Sequence, residues 1–279
     1  MKTYSAKIMK QKCINIPCNI CGSENYTLFL KLENCKFVKC LSCGLVYQNP
    51  QPVFDDLRLR YNSSYFKYEL KNEENFFNLM KLGLKDINFD NISLETFENN
   101  NFLDIGCATG MLLEYMKGKG WIVQGVDICR ESAEFGMKER NIDISIGILE
   151  EANFPDSFFS VIHFSHVIEH VPDPRSFLLE VYRILSPDGM AVITTPNVSG
   201  FQARLFGKNW RSAISDHLFL FSKTTLMHIL LEVGYKVESI ICWGGLAKGT
   251  APMFIKKPMD FLAKKLGFGD VILFSVKKK

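Results

Sequence analysis

The sequence has no apolar run approaching the length of a membrane span, and its opening stretch MKTYSAKIMKQKC lacks the apolar centre of a signal peptide. It also lacks a strong charge of either sign. The 33 Lys and Arg against 30 Asp and Glu leave +3, part of it in Lys277, Lys278 and Lys279. Nucleic-acid-binding domains usually concentrate a basic face, so no nucleic-acid partner is expected. Two phosphate-binding signatures are missing as well. There is no G-x-G-x-x-G, which a pyrophosphate over a glycine turn requires, and no Gly-Lys-Ser/Thr ending of a P-loop. No internal repeat or low-complexity tract is present. These absences lead to the expectation of a cytoplasmic protein that spans no membrane.

What is present suits one main domain with a small appendage: 279 residues, 47% of them hydrophobic and 23% charged. Nine cysteines, an odd count in a long chain, argue for reduced thiols over a disulfide framework. Four of them form two knuckles, CNICG (Cys18, Cys21) and CLSCG (Cys40, Cys43). Each CxxC can turn two thiolates to one point, and four thiolates at a tetrahedral centre suit structural zinc. YTLFLKL and KFVKC between the knuckles read as a hairpin. Cys13 and Cys35 fall outside the pattern. Residues 1–50 are therefore expected to be a zinc-ribbon-like module.

After NPQP, residues 51–98 carry apolar and aromatic positions at loosely helical spacing, among them Leu57, Tyr61, Phe76, Phe77, Met80 and Leu84. A helical connector packed on the main domain is the expectation. A secondary idea is that Tyr61, Tyr65 and Phe66 cap a ligand cleft. From about residue 99 to the end, short apolar strands alternate with helical patterns, which indicates an α/β fold with a parallel sheet covered on both faces. Ligands in such sheets lie at the carboxyl ends of the strands.

FLDIGCATG places Asp104 near the end of the first of these strands, with Gly106, Ala108 and Gly110 after it. Asp127 closes the next strand, VQGVD, at the distance along the chain where an acid meets ribose hydroxyls. Gly106 and Gly110 would serve a tight turn equally well. An acid such as Asp104 would repel a phosphate and favour an ammonium or sulfonium group nearby. That electrostatic preference points to S-adenosylmethionine.

LDIGCATG, GVD, FPDSFFSVIHFSHVIEHVPDP, RILSPDGMAVITTPN and DHLFLFSKTTLMHILLEVGYKV together resemble the class I S-adenosylmethionine-dependent methyltransferases. The resemblance is to the group that includes ubiquinone-pathway O-methyltransferases and sugar methyltransferases, and it runs over about residues 100 to 240. The knuckles before GLVYQNPQP resemble a zinc-binding N-terminal module of some members. The resemblance implies a Rossmann-like sheet of seven strands, with YKVESIICW and DVILFSVKK as the last two and the final one inserted antiparallel. It implies that Asp104, Gly106 and Gly110 surround the methionine part, Asp127 the ribose, and Leu149 and Glu150 the adenine. Glu150 would equally be a solvated acid. Two departures stand out: Ala108 replaces the middle glycine, and Ser160 stands where an acid often precedes the fourth strand.

Methyl transfer to oxygen needs alignment, exclusion of water and removal of a proton. His166, His170 and His217 are the candidates, in that order as general base, with His217 on the acceptor side and Glu169 as an orienting neighbour. The His166/His170 spacing also invites a metal reading, weakened by the want of a matching carboxylate cluster. Arg204, Trp210 and Arg211 in the 200–219 insertion suit a polar, partly anionic acceptor such as a nucleotide sugar, although the two arginines read equally as surface charges. PMFIKKPMDFLAKKLGF is amphipathic, with core packing, a weak interface or membrane-surface contact as its readings. The expected activity is methylation of a small molecule or glycan precursor, on a hydroxyl of a sugar or related acceptor. The rivals are a zinc-ribbon RNA-binding protein, a nicotinamide-dependent oxidoreductase and a cofactor-binding protein without turnover.

Overall fold

The computed structural model describes residues 11–92, 94–245 and 253–279. The first ten residues of the N-terminal stretch, and the part of the 248–268 segment before Met253, lie outside the described residues. Near the N-terminus, β1 (Cys13–Ile14) is followed by β2 (Tyr26–Lys31), β3 (Lys36–Cys40), β4 (Val46–Gln48) and β5 (Gln51–Pro52). β2 and β3 form the expected hairpin, β4 continues it, and β5 returns to pair with β1. Two helices follow, α1 (Phe54–Arg58) and α2 (Ser63–Asp86). The Asn62 side chain accepts the backbone N–H groups of Ser64 and Tyr65, two donors that the first turn of α2 cannot satisfy itself. After α2 come two short 3₁₀ turns, Phe89–Asn91 and Leu94–Thr96.

The alternating pattern then resolves into β6 (Asn101–Ile105), α3 (Met111–Lys117), β7 (Ile122–Asp127), α4 (Arg130–Arg140), β8 (Asp143–Ile146), β9 (Phe159–Ser165), α5 (Pro174–Ile184) and β10 (Leu185–Pro196). It continues through α6 (Phe201–Phe206), β11 (Phe219–Leu220), α7 (Lys223–Val233), β12 (Tyr235–Trp243), α8 (Met253–Leu266) and β13 (Val271–Lys278). The main sheet has seven strands in the order β12-β13-β10-β9-β6-β7-β8. Its β6 to β10 pairings are parallel, and β13 runs antiparallel to both neighbours. The chain winds outward from β6 through β7 to β8, then restarts at β9 on the other side. The strand order therefore reverses between β6 and β9, and the carboxyl ends there form the natural ligand crevice.

Side chains alternate across the sheet and feed two cores. Leu103, Ile105, Ile162 and Phe164 face one way, with α5 and α7 residues such as Phe177 and Leu226. Phe102, Val161 and Val192 face the other way, with α3 residues Leu112, Leu113 and Met116. The first core also takes in Cys18, Cys40 and Tyr47. The N-terminal sheet is not closed on itself: β11, from the C-terminal half, is its fourth strand and pairs with β4. Asn19 of the first knuckle donates to Asp173 (3.0 Å) and accepts from the Arg175 N–H (3.2 Å), which seats the knuckle on the start of α5. Among the described residues no helix is long and apolar enough to cross a membrane.

Candidate functional site

The loop from Gly106 to Gly110 joins β6 to α3 in an unusual backbone path. Gly106 (φ 70°), Ala108 (φ 49°) and Gly110 (φ 76°) all adopt left-handed conformations. Gly106 requires its bare backbone twice over, because a Cβ there would also lie 2.5 Å from Val167 Cγ2. Ala108 holds the same conformation with a methyl group, so the missing middle glycine leaves the loop shape intact. Its N–H donates to Asp127 Oδ2 at 2.7 Å, and the Cys129 N–H donates to Oδ1 at 2.7 Å. One donor per oxygen leaves lone pairs for a ligand's hydroxyls. Asp127 is buried, and burial, opposed by these two N–H groups and reinforced by the charge of Asp104, raises its pKa.

Asp104 stands one residue before the end of β6, near the strand end as expected. It is 2% exposed and sits directly opposite His163 in the β6–β9 register, with Oδ1 2.7 Å from His163 Nδ1. Sequence distance conceals this partner, 59 positions away. Leu149 is buried in the first core, while Glu150 is exposed. Their loop nevertheless lies beside Asp127, since the Gly147 N–H donates to Asp127 O (2.9 Å). Ser160 is buried and donates to Asn99 O (2.7 Å), a structural contact.

α2 lies across this loop with Tyr65, Glu69 and Glu73 at every fourth position, and Tyr61 stands just before its N-cap at the same spacing. Glu73 accepts from Thr109 Oγ1 (2.7 Å) in the loop and from Arg140 (3.0 Å) on α4. Glu69 accepts from Ser132 Oγ at 2.5 Å. Burial and the nearby Asp127 raise the Glu69 carboxyl well above the carboxylate range, so the two acids share a space too dry for both charges. Burial first, and adjacent carboxylates second, also raise the phenols of Tyr61 and Tyr65. Phe66 stacks against Phe135 of α4, with ring centroids 5.8 Å apart. Sequence reasoning named the aromatics and missed Glu69 and Glu73. The i, i+4 spacing of all four was the available signal.

On the other flank of β6, the chain leaves β9 at His166 with φ 58°. It then makes only a single turn over residues 168–170. Pro172 cannot continue a helix, and Glu169 O is spent on the N–H groups of Leu218 (2.8 Å) and Phe219 (3.1 Å). This turn brings the three sequence-predicted histidines together around Glu169. His166 Nδ1 lies 2.9 Å from Glu169 Oε1, and Thr195 donates to Oε2 at 2.9 Å. His170 Nδ1 lies 2.9 Å from Asp216 O, His217 Nδ1 lies 2.8 Å from Ser212 O, and the two rings meet edge-on with centroids 4.7 Å apart.

Burial opposes ionisation of Glu169, but the His166 hydrogen bond and the three imidazoles outweigh it and hold its pKa at about 2. A charged carboxylate and two carbonyl oxygens can only accept. Each histidine therefore donates from Nδ1, an assignment from the network. Burial first, then the neighbouring His170, pushes His217 down to about 3, so it is neutral at ordinary pH. Glu169, His170 and His217 also offer ligand atoms all within 4.8 Å of one another. The set keeps His170 of the spacing that invited a metal reading, replaces His166 by His217, and adds Glu169, which was read as an orienting neighbour. Arg60 closes the arrangement from the connector, donating to Asp216 Oδ1 (2.6 Å) and Ser215 O (3.1 Å). In the insertion, Trp210 Nε1 and Arg211 Nε both donate to the buried Asp270 (2.5 and 2.7 Å), and Arg204 lines a cavity of about 210 Å³ with Ser199, Phe201 and Phe268.

The four knuckle sulfurs lie within 4.8 Å of one another, with Cys18–Cys43 at 3.4 Å and Cys21–Cys40 at 3.5 Å. Zinc–sulfur bonds of 2.3 Å in a tetrahedron set sulfurs about 3.8 Å apart, so the donor set fits zinc. Burial opposes ionisation of Cys40, yet the N–H groups of Cys43 and Ser42 and the thiols of Cys21 and Cys18 outweigh it and lower its pKa to about 6.

The methyltransferase domain family model matches residues 83–240. The ubiquinone biosynthesis O-methyltransferase of Bartonella quintana is 33% identical over 115 residues, 39% of this chain and 47% of that protein. Its counterpart from Maricaulis maris is 31% identical over 146 residues, 48% of this chain and 58% of that one. The chain thus spans about half the length of these relatives. A SAM-dependent methyltransferase of Thermotoga maritima superposes with a TM-score of 0.56 at 20% identity, covering 77% of this chain and 98% of that one. One from Archaeoglobus fulgidus gives 0.53 at 23%, covering 76% and 99%. At these identities the likeness is one of fold. With the reversed strand order, the left-handed loop and the acid closing β7 in place, the family match over more than half its length makes this chain a member of the methyltransferase domain family.

Proposed function

We propose that the protein transfers a methyl group from S-adenosylmethionine to a hydroxyl of a small molecule, a sugar or other glycan precursor being the favoured acceptor. The observation that carries this reading is the placement of two differently tuned buried acids, Asp127 and Glu169, on the two flanks of β6. S-adenosylmethionine, when bound, supplies an electrophilic methyl group. Asp127 accepts the ribose hydroxyls with its remaining lone pairs, and Gly106 and Gly110 let the backbone approach the methionine part. Asp104, through His163, fixes the ends of β6 and β9 beneath them. Leu149 and Glu150 hold the loop that borders the adenine. Tyr61, Tyr65 and Glu69 cover the site and exclude water. His166 Nε2 takes the acceptor's proton, while ionised Glu169 holds Nδ1–H and stabilises the imidazolium that results. His170 and His217 line the acceptor side and accept from its neighbouring hydroxyls through Nε2. The four cysteines hold zinc away from the chemistry, because a closed four-sulfur site has no open position.

A second reading has an observation of its own. The Glu169–His170–His217 set suits a divalent cation, which would lower the acceptor hydroxyl's pKa directly. Metal analysis separates the two: one equivalent, lost with the cysteines, supports the proton-transfer reading, and a second equivalent lost on His217→Gln supports the metal. The activity itself is tested by incubating the protein with labelled S-adenosylmethionine and fractionated sugars and phenols. Labelled product that disappears with His166→Gln supports the proposal. No transfer to any hydroxyl acceptor, with S-adenosylhomocysteine still bound, would leave a binding protein.

A further inference from the structure

The two knuckles are tied to the rest of the chain in different ways. The first docks on the start of α5 through Asn19, which bonds to Asp173 and Arg175 and to no histidine in that contact. The second leads straight into β4, which reaches the histidine cluster through main-chain hydrogen bonds. The knuckle is closed by Cys40 N–H to Leu45 O (2.9 Å) and Gly44 N–H to Cys40 O (3.1 Å). β4 begins at Val46, and Val46 and Tyr47 pair with Leu220 and Phe219 of β11. The Gln48 N–H donates to Leu218 O at 2.7 Å. On its other side the same short segment donates from Leu218 and Phe219 to Glu169 O, and Asp216 O receives His170 Nδ1. His217 is the residue between. Residues 216–219 are thus clamped between the second knuckle's strand and the turn that carries Glu169 and His170. Side chains repeat the link, with Tyr47 stacked on Phe219 (6.5 Å between centroids) and Phe219 on Phe221 (6.0 Å).

We propose that the four-cysteine centre positions the acceptor-side histidines: metal bound to Cys40 and Cys43 sets β4, β4 sets β11, and β11 sets His217 and His170 against Glu169. The proposal rests on the reading that these histidines face the acceptor. A two-residue strand such as β11 has little stability of its own, so it keeps its place only while β4 is held. In small metal modules the free energy of metal binding is folding free energy, so occupancy decides whether β4 is held. Asp127 and the glycine loop lie across β6 and share none of these hydrogen bonds.

The test uses the full chain loaded with one equivalent of zinc and the same chain after chelation. Three quantities are followed: amide exchange of residues 216–221, the imidazole ¹⁵N signals of His170 and His217, and affinity for S-adenosylhomocysteine. Metal removal is expected to raise exchange at 216–221 by about tenfold or more and to shift both imidazoles, with cofactor affinity changed less than about threefold. Gln48→Pro gives a second route that leaves all four cysteines in place: it removes the N–H that reaches Leu218 and should shift the same imidazoles and the pH profile of methyl transfer while zinc stays bound. Asn19→Ala should leave them unmoved. Imidazoles and exchange at 216–221 unchanged by both chelation and Gln48→Pro, with only residues 13–45 loosened, would overturn the proposal. Imidazoles that move without any change in methyl transfer would uphold the coupling and refute the acceptor-side reading of the histidines.

Discussion

Asp127 and Glu169 are both buried acids at the carboxyl edge of one sheet, separated by the width of β6, yet their surroundings drive them in opposite directions. Asp127 has backbone donors but also Asp104 and Glu69 nearby, and desolvation prevails. Glu169 is more deeply buried, and three imidazoles keep it ionised. Burial alone therefore does not decide the charge of an acid here; the company it keeps does. One flank is built to accept hydroxyls, the other to hold a permanent negative charge behind a base.

The comparison breaks most sharply at Glu169. Glu169→Gln removes the charge that orients His166, and methyl transfer should fall by about 10²–10⁴-fold while S-adenosylhomocysteine affinity stays within a few fold, measured by single-turnover transfer and calorimetry. Gly106→Ala should do the converse. A methyl group in left-handed backbone and in contact with Val167 costs about 1–3 kcal/mol, so cofactor affinity should drop roughly tenfold or more, read by calorimetric titration.

Acid should expose the second flank. His217 has a folded pKa below its ordinary value, so its contribution is present above about pH 6.5 and is lost as pH falls from there toward 3. Glu169, also depressed, adds a loss between about 4.5 and 2. Each group steepens the fall by up to about 1.4 kcal/mol per pH unit within its window, and denaturant titrations of His217→Gln should show the upper window flattened. Alkali should expose the first flank, with the smallest effect. Glu69 has a raised folded pKa, so stability is full below the ordinary carboxylate range and declines as pH rises above it. Glu69→Gln should abolish that decline, seen as a thermal midpoint that no longer drops between pH 5 and pH 8.

Much of this arrangement was legible in the chain. Strand and helix alternation follows from apolar periodicity, the four-cysteine centre from spacing, and the antiparallel last strand from family resemblance. The pairing of Asp104 with His163 was not legible, because it is set by strand register, which chain spacing does not encode. β11 is two residues long, too short for any periodic signal, so the sharing of a sheet between the cysteine module and the histidines was invisible. The α2 stripe was visible as spacing, but Glu69 and Glu73 are residue types expected to face water. Only the presence of Ser132, Thr109 and Arg140 opposite them turns them inward.

The most direct test of the account is calorimetric titration of the intact protein and its Asp127→Ala variant with S-adenosylhomocysteine, and in parallel with NAD. Saturable one-to-one binding of S-adenosylhomocysteine, weakened at least about tenfold in the variant with no heat from NAD, is the predicted result. Undiminished binding in Asp127→Ala, or a response to NAD alone, would contradict it.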